Sequence, residues 1–109
     1  MGMTSQPTMG MIARMATFEG GDAEEMRRRN NEMLVERGAS ALPAGIRRVI
    51  VLMQNESRWV VISFFDDEET AAAAEERFEQ LGDEIPESVR GRRVSLESFE
   101  VAFDVEMIR

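Results

Sequence analysis

The 109-residue chain has no cysteine, no histidine and no tyrosine, and a single tryptophan. Without cysteine there is no disulfide and no thiol nucleophile. Without histidine the commonest metal ligand and the usual general base near neutral pH are both missing. No metal or other cofactor is therefore expected. No apolar run reaches the length needed to cross a bilayer, so no membrane partner is expected. Residues 1–10 are polar and lack the basic-then-apolar order of a secretion signal, which leaves the cytoplasm as the default location. A basic surplus is absent too: 21 acidic residues stand against 13 basic ones, a net charge of −8. Nucleic-acid binding relies on cations that displace counterions from phosphates, so no nucleic-acid partner is expected. Two local basic clusters remain, Arg27 to Arg29 and Arg90, Arg92 and Arg93. The first reads as a solvated helix face.

What is present suits one small soluble domain, placed at residues 11–109 behind a flexible tail of residues 1–10. Residues 11–19 alternate as a strand does, with Arg14 interrupting one face. Gly20-Gly21 ends it. Asp22, followed three residues later by Glu25, is a helix N-cap signal, and residues 22–38 read as a helix with Ala23, Met26, Met33 and Leu34 on its apolar stripe. Asn30 sits within that stripe. Pro43-Ala44-Gly45 reads as a turn. Residues 46–53 and 58–65 are rich in β-branched and aromatic side chains and read as a strand hairpin. Residues 67–81 carry four alanines, early acidic residues and a following Gly82, which together predict a second helix with Ala71, Ala74, Phe78 and Leu81 inward. The acidic run Asp66 to Glu69 suits the positive end of that helix better than a metal site. Residues 83–91 read as a loop. Residues 92–106 read as one long strand, with a change of parity near Glu97-Ser98 that suggests a bulge.

The order strand, helix, strand, strand, helix, strand is the ferredoxin-like α+β arrangement: a four-stranded antiparallel sheet with two helices on one face. Strands 46–53 and 58–65 are apolar on both parities, a pattern that requires cover on both faces of the sheet. The two helices shield one face. A second copy of the chain, sheet against sheet, is the expected cover for the other.

Three stretches carry a resemblance to a known family. Phe65-Asp66-Asp67-Glu68-Glu69 precedes an alanine-rich helix, Pro43-Ala44-Gly45-Ile46 turns into a strand, and Ser98-Phe99-Glu100-Val101 lies in the long last strand. Over about residues 11–106 the chain resembles the dimeric α/β-barrel superfamily, and within it the antibiotic-biosynthesis-monooxygenase-like proteins. The resemblance implies sheets paired into a homodimeric barrel and a cleft between sheet and helices in each subunit. It also implies a range of activities, from cofactor-free oxidation of phenols to haem degradation. Haem degraders hold iron with a helix histidine, which this chain lacks. Quinone-forming members use an asparagine and a tryptophan on the third strand, positions that fall at Val61 and Phe65, with a tyrosine nearby that is also missing.

If Phe65 lines the cleft, strand alternation puts Trp59, Val61 and Ser63 on the same side. A tight hairpin then sets Leu52 opposite Trp59, Ile50 opposite Val61 and Arg48 opposite Ser63. The resemblance also places Arg14 near a cleft position. Arg14, Asn30, Arg48, Trp59, Ser63 and Phe65 thus form the candidate set for a planar, aromatic or anionic ligand, because guanidinium forks match carboxylates and aromatic walls stack on rings. Each has a plainer reading. Trp59 and Phe65 suit packing, Arg48 a surface salt bridge, Arg14 a cross-sheet pair with Glu100 or Asp104, Asn30 a backbone cap and Ser63 a spacer. Two functions follow: a cofactor-free, monooxygenase-like enzyme acting on a small aromatic substrate, or a non-catalytic dimeric binding or accessory protein whose cleft is plugged by Met26, Met33, Phe65 and Phe78.

Overall fold

Two aspartates set where the long helices begin. Asp22 accepts a hydrogen bond from the Glu25 N–H at 3.1 Å, and Asp67 accepts one from the Thr70 N–H at 2.7 Å. Each satisfies a donor that the first helical turn would otherwise leave unpaired. In the computed structural model, which describes residues 2–5, 11–41 and 45–108, the elements in chain order are β1 (Gly2–Ser5), β2 (Ile12–Glu19), α1 (Ala23–Arg37), a 3-10 turn (Gly38–Ala41), β3 (Ile46–Asn55), β4 (Arg58–Phe65), α2 (Glu68–Asp83), α3 (Glu87–Arg90), β5 (Arg92–Glu100) and β6 (Val105–Ile108). The strands of the main sheet are antiparallel and ordered β3-β4-β2-β5, with β2 and β4 central. This is the expected ferredoxin-like α+β fold, with its helices on one face. Among the described residues no helix is long and apolar enough to cross a membrane.

Several boundaries differ from the sequence reading. Gly2–Ser5, read as part of a tail, pairs antiparallel with Val105–Ile108 as a two-stranded ribbon, while residues 6–10 lie outside the described residues. Pro43 and Ala44 of the expected turn also lie outside them. The single strand expected over 92–106 stops at Glu100. The Val101 N–H still bonds the Met11 carbonyl at 2.9 Å, and residues 101–104 then leave the ladder before β6. The bulge lies at Val94, between the pairs Thr17–Ser95 and Phe18–Arg93, and not near Glu97-Ser98. α2 runs through Gly82 to Asp83, and the expected loop 83–91 holds the short α3.

The β3–β4 hairpin is one residue out of the expected register. Asn55 pairs with Arg58 across Glu56-Ser57, and its side-chain oxygen accepts the Ser57 N–H at 2.9 Å, an Asx turn. An irregularity between Met53 and Asn55 then puts Met53 opposite Trp59, Val51 opposite Val61 and Val49 opposite Ser63. Because side chains alternate, a one-residue slip moves a whole set to the other face. Arg48 accordingly pairs with Phe64, away from the helices.

The helix-facing core joins Phe65, Ala71 and Ala74 to Ile12, Ile46 and Phe78. On α1 Ala23 is buried and Met26 and Met33 are half-buried, but Leu34 of the expected stripe is exposed. Leu81 is one whose side chain lies outside the described set. The opposite sheet face carries Met15, Ile50, Val60, Ile62 and Phe64, all half-buried, with Leu52 51% and Phe99 46% exposed.

Candidate functional site

Four cross-strand pairs line the helix-facing side of β2 and β4: Ile12–Phe65, Arg14–Ser63, Ala16–Val61 and Phe18–Trp59. Both ends of this row are closed by packing. At one end Phe65 is fully buried beneath Ala71 and Ala74 of α2. At the other end Trp59, 2% exposed, stacks on Phe18 with ring centroids 6.4 Å apart. Its indole is held by Gly21, where an added Cβ would lie 2.4 Å from Trp59 Cη2, 2.4 Å from the Val89 carbonyl and 2.7 Å from the Gly91 nitrogen. Gly91, at φ 79° just after α3, lets the backbone there approach Glu19 and Gly21 closely enough to make this crossing.

The middle of the row is open because its side chains are small. Ala16 and Ser63 on the floor, with Gly82 on α2 above, leave a cleft of about 460 Å³. Arg14 and Val61 complete the floor, and Phe18 and Phe78 form apolar walls. Glu79 and Asp83 line it from α2, Arg90 from α3 and Arg93 from β5. A concave site of this size, with apolar walls and five charged side chains around them, has room for a small organic ligand.

Arg14 is the buried charge of the cleft. Its side chain is 9% exposed and lies 3.2 Å from the Glu75 carboxylate, itself 41% exposed. The guanidinium carbon also lies 5.8 Å from the centre of the Phe78 ring, within cation–π range. A buried arginine is tolerated when its charge is met in this way. Its partner is on α2, rather than Glu100 or Asp104 across the sheet. At the mouth the Arg90 Nε donates to the Ile85 carbonyl at 3.4 Å, which steadies its stem. Among the described residues neither Arg90 nor Arg93 is in ion-pair contact, and neither is Glu79 or Asp83. Also among the described residues, no group of three His, Cys, Asp or Glu side chains is arranged to hold a metal ion.

Of the six candidate residues, the structure brings Arg14 and Ser63 together at the cleft. Trp59 and Phe65 share the expected face but are packed into the two closed ends. Arg48 is on the opposite face, displaced by the hairpin register. Asn30 is half-buried on α1 and does not border the cleft. Of the four side chains expected to plug the cleft, Phe78 alone borders it, as a wall. The acidic run at Asp66 to Glu69 has local roles: Asp67 caps α2, and Asp66 pairs with Arg47 at 2.9 Å. In the Arg27 to Arg29 run, Arg28 bridges Glu25 and Glu32, Arg29 also reaches Glu25, and Arg27 leans on Met53 Sδ at 3.1 Å.

Arg90 and Arg93 are the main residues the sequence reading did not assign to the site. Their clustering was visible, but only the packing of α3 and the bulge at Val94 turn both toward one space. Phe18 was findable, since it shares parity with Arg14.

No protein-family model matches this chain, and no curated protein does. Among solved structures it is similar to one described as a "putative antibiotic biosynthesis monooxygenase" from Caulobacter crescentus CB15. The two share 15% sequence identity at a TM-score of 0.62, over 85% of this chain and 91% of the other. At that identity the likeness is one of fold. It agrees with the ferredoxin-like fold that the order of elements implied.

Proposed function

We propose that this protein is a homodimer in which each subunit's cleft binds a small aromatic compound as its anion. The observation that carries the reading is the open cleft itself: Arg90 and Arg93, opposite Glu79 and Asp83, border an apolar space lined by Ala16, Phe18, Val61 and Phe78, with Arg14 in its floor. Arginine recognises planar oxyanions through paired N–H donors, and the apolar walls favour a ring. The dimer is supported by the sheet face opposite the helices, where Leu52 and Phe99 remain exposed beside five half-buried apolar side chains. A contiguous apolar patch of this kind is unusual on a monomer. Light scattering that gives the mass of one chain at micromolar concentration overturns the dimer. Leu52→Glu should produce that monomer where the wild type does not.

Binding is tested by calorimetric titration with small aromatic carboxylates and phenolates. Loss of one charge-assisted contact at Arg90→Ala or Arg93→Ala should weaken an acid that binds by about tenfold. If the wild type binds none of them, the reading fails.

The fold likeness favours a second step, a cofactor-free monooxygenase-like oxidation of the bound phenol by dioxygen. The asparagine and tryptophan that the resemblance implies are replaced by Val61 and Phe65, so Arg14 and Ser63 are the polar groups left to face the ring from the floor. Oxygen uptake over a panel of hydroquinones and anthrones, compared between wild type and Arg14→Met, tests this step. Uptake no faster than the uncatalysed background, with binding intact, leaves a non-catalytic binding protein.

A further inference from the structure

We propose that the ligand of the cleft is an aromatic zwitterion, a ring carrying both a carboxylate and an ammonium group, of the kind found in aromatic amino acids. This deepens the aromatic-anion reading and rests on it. The argument is one of charge balance within a single cavity. Arg14, at the inner end, is already matched by Glu75 at 3.2 Å. The mouth is balanced in number but not paired. It holds two guanidiniums, Arg90 and Arg93, and two carboxylates, Glu79 and Asp83, with none of the four in an ion pair among the described residues.

The two signs come from different walls. Glu79 and Asp83 are four residues apart on α2, so they rise along one helical face about 6 Å from each other. Arg90 and Arg93 face them from α3 and β5. The walls are close, because Gly82, between the two acids, lies against the Arg90 stem: a Cβ added there would be 3.6 Å from Arg90 Cδ. A simple aromatic carboxylate satisfies the arginines but meets two like charges on α2. An aromatic amine does the reverse. A zwitterion answers both walls, while its ring takes the apolar space between Phe18 and Phe78.

The test compares ligands that share a ring and chain length. Phenylalanine, 3-phenylpropanoate and 2-phenylethylamine are titrated calorimetrically into the wild-type protein, together with the pair tryptophan and indole-3-propanoate. At least one amino acid should bind about fivefold more tightly than its matched propanoate, the upper range for a solvent-exposed ion pair. In the double variant Glu79→Gln, Asp83→Asn that advantage should disappear and the propanoate should gain affinity. Both substitutions are on exposed positions of α2, and an unchanged circular dichroism spectrum confirms the fold. If a propanoate binds the wild type as tightly as its amino acid, the zwitterion proposal is overturned while the aromatic-anion reading stands. If no amino acid binds, the zwitterion proposal is overturned as well, and the aromatic-anion reading is decided by the panel of carboxylates and phenolates above.

Discussion

Glu75→Ala and Arg14→Met remove the two halves of one ion pair, yet they should affect stability very differently. The asymmetry comes from burial: the Arg14 side chain is 9% exposed and that of Glu75 is 41%. Removing Glu75 leaves a guanidinium in a site that water reaches poorly. An unmatched charge-assisted donor of that kind costs about 1.5–3 kcal/mol. The cation–π contact with Phe78 is present in both proteins and cancels in the difference. The expected loss for Glu75→Ala is thus about 1.5–3 kcal/mol, or roughly 6–13 °C in melting temperature for a domain of this size. Arg14→Met removes the buried charge, keeps an unbranched apolar stem, and leaves Glu75 free to be hydrated. Its stability should stay within about 1 kcal/mol of wild type. The double variant should resemble Arg14→Met alone, because the penalty of Glu75→Ala exists only while the guanidinium is present. Urea unfolding at one fixed protein concentration measures all four proteins, and holding the concentration constant keeps any dimer linkage out of the comparison. The opposite ranking, a neutral Glu75→Ala and an Arg14→Met loss above about 2 kcal/mol, would refute the assignment of Arg14 as the buried, dependent member of the pair.

Trp59→Ala should cost about 3–5 kcal/mol in the same assay, as expected for deleting a fully buried ring; a cost below about 1 kcal/mol would return Trp59 to the cleft wall. Gly21→Ala should destabilise by about 1–3 kcal/mol, because two of the atoms its Cβ meets are backbone and cannot swing aside; a neutral result contradicts the tight crossing of the 20–22 and 89–91 loops. The Asp67 carboxyl is held below its ordinary range by hydrogen bonding from Thr70, first the side chain and then the backbone N–H. Its contribution is therefore complete above the unfolded-chain value of about 3.9 and is lost as the pH falls through the lower folded value. Melting temperature followed from pH 6 to pH 2 should fall less steeply at the acid end in Asp67→Asn than in wild type, and identical slopes would contradict the cap's role.

Much of the frame was legible because each signal was local. Asp22 and Asp67 mark helix starts, the alanine run marks α2, and the β-branched stretches mark the two hairpin strands. The placement of Arg14 near the cleft followed from the family resemblance, and Ser63 followed from its parity with Phe65. What was not legible depended on single-residue irregularities and on contacts between distant segments. One extra residue near Gln54 shifted the hairpin and turned Arg48 to the other face. A bulge at Val94 set the direction of Arg93. Trp59 at a hairpin end looked available for a ligand, and its burial depends on Gly21 and Gly91, which the chain brings together from separate loops. The ribbon of β1 and β6 pairs segments from opposite ends of the chain, so neither one betrays it alone.

The cleft separates frame from chemistry in a way that limits what fold likeness can transfer. The four-stranded sheet and its helices reproduce an architecture found in a protein only 15% identical. The positions where the sequence resemblance implies an asparagine and a tryptophan hold Val61, on the apolar floor, and Phe65, sealed in the core. Polarity enters the cleft instead from β2, α3 and β5, through Arg14, Arg90 and Arg93, and from one face of α2 through Glu79 and Asp83. These groups depend on different backbone features from those that position the third-strand residues. The frame can therefore be retained while the cleft's electrostatics are rebuilt. On the zwitterion proposal, the matched inner pair and the unpaired charges at the mouth, more than the fold, set which ligand the cleft selects.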